Sequence, residues 1–199
     1  PSFELEDRKL LHLINRDTNT IVIDGIEYKL TDTVFPTVDW EHPYQLTDEE
    51  EIVMQSLEEA FIHCEKLQRH IALFLERGSL YKIQNNALMF HACGPLNADG
   101  SLRETNLYGE KLKGRKLFDA VDRYVRAAFT DQDPTAQKKG ADLLWYLWLG
   151  VGSPLFAKSK MATFELYLIA EKEARKEVKN PFYQLYEKEI VVNGIFEDF

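Results

Sequence analysis

Cysteine is nearly missing from these 199 residues: Cys64 and Cys93 are the two present, and they form no C-x-x-C pair. A disulfide framework and a zinc module built on paired thiolates are thereby excluded. No run of about 18 apolar residues occurs, so no membrane-spanning helix is expected, and no signal-peptide layout is readable. The expected setting is a soluble, reducing compartment, the cytoplasm. Positive charge is scarce as well, with 24 Lys and Arg against 33 Asp and Glu and a net charge of −9. That balance argues against a broad basic groove and against nucleic acid as a partner. Internal repeats, low-complexity segments and the β-α alternation of a doubly wound sheet are all lacking.

What is present is enough apolar residue, 45% of the chain, for a real core. Its patterning predicts a helix-dominated α+β fold with two small β-hairpins and one long amphipathic helix. A short helix is expected over Leu5 to Asn15. Asp24-Gly25 between two β-rich runs predicts a hairpin, and Asn85-Asn86 predicts a second, since both pairs tolerate the positive φ of a tight turn. Thr47-Asp-Glu-Glu50 is a capping box. Behind it Val53, Leu57, Ala60, Phe61, Cys64, Leu67, Ile71, Phe74 and Leu75 recur at helical spacing up to Gly78, predicting one helix with one face buried. Small strands are expected within Leu102 to Lys113, helices over Leu117 to Phe129, Ala136 to Leu149 and Ser159 to Lys176, and a last turn at Tyr183 to Lys188. The ending Asn193 to Phe199 reads as a turn and an apolar, acidic stub. The expected organisation is a single unit over 1–199 in three parts: hairpin and linker (1–46), long helix and second hairpin (47–114), and helical remainder (115–199).

His91 closes the second hairpin and is followed by Ala92, Cys93 and Gly94, small residues that leave room for a bulky group such as a phosphate. A strand end followed by a small-residue loop is a common way to present a metal ligand, but a metal needs three or four ligands and no other segment offers them. On local features His91 therefore reads as a structural imidazole with both nitrogens satisfied. His63 and His70, seven apart, lack the spacing of three or four that a helical metal pair needs. Gly150 to Lys160 combines glycines, hydroxyls and lysines before a predicted helix; it could hold a phosphate, yet it lacks P-loop spacing and also reads as a plain turn.

Lys66-Leu-Gln-Arg-His70, Phe90-His-Ala-Cys-Gly-Pro-Leu-Asn-Ala-Asp-Gly-Ser101, Leu144-Trp-Tyr-Leu-Trp148, Gly152-Ser-Pro-Leu-Phe156 and Lys160-Met-Ala-Thr-Phe-Glu165 together resemble class 3 fructose-1,6-bisphosphatase, a bacterial type among the calcineurin-like metallophosphatases. Tyr28 to Pro36 and Pro43 to Glu50 fit the same pattern. The resemblance implies part of a calcineurin-like phosphatase unit. It implies hydrolysis of fructose 1,6-bisphosphate to fructose 6-phosphate and phosphate, a gluconeogenic step using two divalent metals, manganese by expectation, to activate water. It turns His91 into an expected metal ligand and makes Ser153, Lys158 and Lys160 expected contacts to the sugar phosphate. The family's Asp-x-His, Gly-Asp-x-x-Asp-Arg, Gly-Asn-His-Asp and Gly-His motifs are not found in this chain, which on this reading is an internal fragment, inactive alone. Two departures stand out: Val151, near which the family carries lysine, and Ala157, near which it carries glycine. The alternative expectation is a non-catalytic regulatory or oligomerisation module of the same enzyme, with a homo-oligomer left open.

Overall fold

The computed structural model describes residues 8–199. In chain order the elements are β1 (Ile14–Asn15), β2 (Thr20–Ile23), β3 (Ile26–Lys29), α1 (Asp48–Ile62), α2 (Glu65–Arg77), β4 (Tyr81–Gln84), β5 (Ala87–Phe90), β6 (Thr105–Leu107), β7 (Glu110–Leu112), α3 (Gly114–Thr130), α4 (Pro134–Leu149), α5 (Thr163–Leu168), α6 (Phe182–Leu185) and α7 (Glu189–Asp198), with 3-10 turns at Leu11–Leu13 and Lys172–Arg175. The fold is helix-dominated α+β, as the sequence pattern predicts, and the described strands pair only antiparallel. No described helix is long and apolar enough to cross a membrane.

The chain divides into two compact units, one of residues 8–78 with Ala162–Lys176, the other of Ser79–Met161 with Glu177–Phe199. This division differs from the expected three parts, because 162–176 returns to the N-terminal unit. In that unit Ile21 pairs with Tyr28 and Ile23 with Ile26 around a turn in which Asp24 and Gly25 have φ of 53° and 79°. Ile21 and Ile23 point inward and Val22 outward, the period of a half-buried strand. Their inner face packs with Leu10, Tyr28, Leu30, Ile169 and Ala174. Ile169 reaches this core because it bridges to Leu30, and Thr31 N–H donates to the Leu168 carbonyl at 2.8 Å. That pairing ends α5 after six residues, so the helix expected over Ser159 to Lys176 is a short helix, an extended stretch and a 3-10 turn. Arg8 donates to Glu165 at 2.7 Å, and the Glu165 side chain is fully buried.

The predicted Leu5 to Asn15 helix lies partly outside the described residues; within them the segment is a 3-10 turn followed by β1. The predicted long helix is divided. Thr47 and Glu50 do form the reciprocal capping box at 3.2 and 2.9 Å, but Cys64 is extended (φ −75°, ψ 96°) and separates α1 from α2. The Gln68 amide supplies the local reason, donating to the Ile62 carbonyl at 3.0 Å in place of a continuing helical N–H. The expected buried face is also absent: no residue of α1 or α2 is buried.

In the second unit α3 and α4 pack through Leu117, Ala120, Val121, Leu143, Tyr146 and Leu147 against Leu107 of β6. Gly140 lets the helices close, since a Cβ there would collide with the Tyr124 carbonyl oxygen. Asp133 caps α4, accepting from Thr135 N–H at 3.0 Å, and Pro134 fills its first turn. The stub expected after Asn193 is instead α7. Its Val191 and Ile195 bury against Leu96, and Asp198 accepts from Arg115 N–H at 2.6 Å, capping α3 from a distant part of the chain.

Candidate functional site

Asn85 and Asn86 take φ of 52° and 58°, the left-handed pair that a two-residue hairpin turn requires. The resulting register sets Tyr81 opposite Phe90. Both rings join an aromatic cluster: Phe90 lies 6.1 Å from Phe118 and 5.8 Å from Phe182, and Tyr81 lies 5.0 Å from Phe199. Anchored by Phe90, β5 releases His91 to solvent at its end, exposed and adjacent to Ala92, whose φ is 58°. The chain then turns inward through Cys93 to Leu96, all buried. Burial pushes the Cys93 thiol up to about 12, so it stays protonated and unreactive near neutral pH.

Two backbone bonds fix this loop. Cys93 N–H donates to the Pro154 carbonyl at 3.2 Å and Arg103 N–H donates to the Pro95 carbonyl at 2.9 Å. Asn180 ties down the loop's end, accepting from Leu96 N–H at 3.1 Å and from Phe182 N–H at 3.0 Å. The His91–Pro95 and Gly150–Pro154 segments, both singled out in the sequence, are thus joined.

The second segment is built by its own hydroxyl. Ser153 is fully buried; it donates to the Leu147 carbonyl at 2.8 Å and accepts from Leu155 and Phe156 N–H at 3.2 and 3.3 Å. Those bonds occupy the Ser153 hydroxyl in shaping the turn. Lys158 Nζ meets Glu177 at 2.6 Å, so its charge is matched within the unit. Lys160 is half-buried beyond it. Ala157 holds φ 56°, a conformation that favours glycine.

The other histidines stay apart from this loop. His63 and His70 are exposed on either side of the α1–α2 break, and His12 Nδ1 lies 2.7 Å from the Tyr44 hydroxyl. Among the described residues no group of three or more His, Cys, Asp or Glu could hold a metal ion. The described donors therefore do not by themselves fit the expected metal pair, and among them His91 stands as a single imidazole. Sequence reasoning missed Arg103, because nothing in its neighbourhood along the chain signals that its guanidinium lies against Gly152.

Two joined loops on a helix-dominated α+β scaffold thus bring together an exposed imidazole and an arginine beside a buried glycine turn. The chain belongs to the family described as Firmicute fructose-1,6-bisphosphatase, whose family model matches residues 1–199. It is 46% identical over 200 residues to a protein of Clostridium botulinum (strain Langeland) named fructose-1,6-bisphosphatase class 3, covering 100% of this chain and 30% of that relative. Proteins of the same name from Clostridium tetani and Clostridioides difficile are each 45% identical with the same coverage. The chain thus spans about 30% of the length of the curated relatives it matches. No solved structure matches it.

Proposed function

We propose that this chain is part of a fructose-1,6-bisphosphatase that hydrolyses fructose 1,6-bisphosphate to fructose 6-phosphate and phosphate in gluconeogenesis, in the cytoplasm. The observation that carries this reading is the family match over the whole chain, supported by 46% identity to class 3 enzymes. In this reading His91 would give one imidazole to a divalent-metal centre, with manganese as the expected metal. The remaining donors are proposed to come from sequence outside the described residues, which hold no donor cluster. What this chain supplies is placement. The aromatic cluster under Phe90 fixes the strand end, the Cys93–Pro154 bond fixes the loop behind the imidazole, and Ser153 and the Lys158–Glu177 pair shape the neighbouring turn, with Lys160 as the contact proposed for the sugar phosphate.

The isolated chain should release no phosphate from fructose 1,6-bisphosphate with manganese added; robust metal-dependent release would overturn the proposed dependence on further donors. In a full-length enzyme containing this chain, His91→Ala should lower kcat by at least about 100-fold, more than loss of an outer-shell partner typically costs. The exposed apolar faces of α1 and α2 favour a second reading, a regulatory or oligomerising module of the same enzyme. Under that reading His91→Ala leaves turnover unchanged, and substitutions on α1 alter the oligomeric state instead.

A further inference from the structure

Arg103 is half-buried, and its guanidinium makes no hydrogen bond or ion pair among the described residues. The other arginines without a hydrogen bond or ion pair among the described residues, Arg16, Arg69 and Arg123, are exposed to solvent, Arg16 and Arg123 lying over aromatic rings. Arg8 is matched to Glu165, Arg126 to Asp122 and Arg115 to Asp119, while Arg175 donates to the Ile169 carbonyl. The carboxylate next to Arg103, that of Glu104, is directed instead to Lys111 at 3.3 Å. A partly desolvated guanidinium with its donors unspent costs free energy unless an acceptor completes it.

Its position is not accidental. The backbone N–H of Arg103 is fixed on Pro95, and its side chain lies across Gly152. A Cβ added at Gly152 would stand 2.9 Å from Nη1, 3.0 Å from Cζ and 3.4 Å from Nε, so the planar head lies flat on a buried glycine that also needs its φ of 74°. A side chain at 152 would lift the guanidinium away. The Gly152 amide donates no hydrogen bond among the described residues either. A fork of five N–H donors held flat, beside an unspent amide and without a carboxylate, suits a tetrahedral oxyanion that accepts two parallel bonds.

We propose that Arg103 is a phosphate-binding residue, its guanidinium receiving one phosphate group of a sugar bisphosphate at the junction of the His91–Pro95 and Gly150–Pro154 segments. The identity of the sugar rests on the function proposed above; the anion site does not. Lys158, already matched by Glu177, contributes less to this task than its place in the sequence suggests.

The test is a titration of the 199-residue protein, labelled with 15N, followed by NMR at the Arg103 Nε–H and the Gly152 amide, with inorganic phosphate and fructose 1,6-bisphosphate as separate probes. Saturable shifts at both resonances are expected with each probe. Arg103→Gln should abolish the saturable shift at Gly152. Arg103→Lys, which keeps the charge and loses the fork, should weaken binding about 10-fold. A thermal midpoint unchanged in both variants separates loss of the ligand contact from loss of fold. Shifts with phosphate but none with fructose 1,6-bisphosphate support the anion site and count against the sugar bisphosphate. Absence of saturable shifts with either probe, or a Gly152 shift that survives in Arg103→Gln, overturns the proposal.

Discussion

The pairs α1–α2 and α3–α4 look alike in sequence and differ in space. Both carry apolar residues at three- and four-residue spacing. In the second pair Leu117, Val121 and Leu143 are fully buried; in the first, Leu57 is 50% exposed and Phe61 is 64% exposed. The difference lies in what meets each face. A glycine at the contact lets α4 reach the backbone of α3, and a carboxylate from residue 198 caps α3. Helical periodicity states which side of a helix leaves water most readily; whether anything covers that side is decided by residues far away in the chain.

The comparison can be broken by mutation. Leu143→Ala should destabilise the unit containing α3 and α4 by about 2–5 kcal/mol, read from urea unfolding, because it empties a fully buried site. A loss below about 1 kcal/mol would mean that this core is looser than its burial indicates.

Alkali should also separate the units. Burial pushes the Cys93 thiol from its ordinary 9.0, and the Tyr108 and Tyr146 phenols from 10.0, up to about 12, and all three belong to the α3–α4 unit. The folded chain then keeps protons that the unfolded chain releases. Its stability is therefore full below about pH 9 and falls as pH rises toward 12. A thermal midpoint that drops between about pH 9 and pH 11.5, less steeply in Cys93→Ala, is the expected result; a flat profile would contradict it. The smallest effect is expected on α1, where Leu57→Ser should change stability by no more than about 0.5 kcal/mol. A cost as large as that of Leu143→Ala would show that α1 packs in solution against something that the isolated fold lacks.

What could be read from sequence was local. Asp24-Gly25, Asn85-Asn86 and the Thr47–Glu50 box hold their conformations through bonds within a few residues, and α3, α4 and both hairpins followed from such signals. The division at Cys64, the brevity of α5 and the helical state of 189–198 were not readable. They depend on the Gln68 side chain, on the Leu30–Ile169 pairing and on burial of Val191 and Ile195 beside Leu96. At the candidate site the same boundary holds. His91 stands where the hairpin pattern put it, at a strand end, whereas the inward-turned hydroxyl of Ser153 and the guanidinium of Arg103 on Gly152 are products of tertiary approach.

The return of 162–176 to the first unit also sets a timetable. During synthesis β1 to β3 leave the ribosome before α3 and α4, and the carboxylate that meets Arg8 follows 157 positions later. At about 5–20 residues per second that is a delay on the order of 10 s, during which the strand partner of Leu30 does not yet exist. The unit begun first is completed only after α3 and α4 have emerged, leaving a nascent sheet edge that a chaperone or a neighbouring nascent chain has time to find.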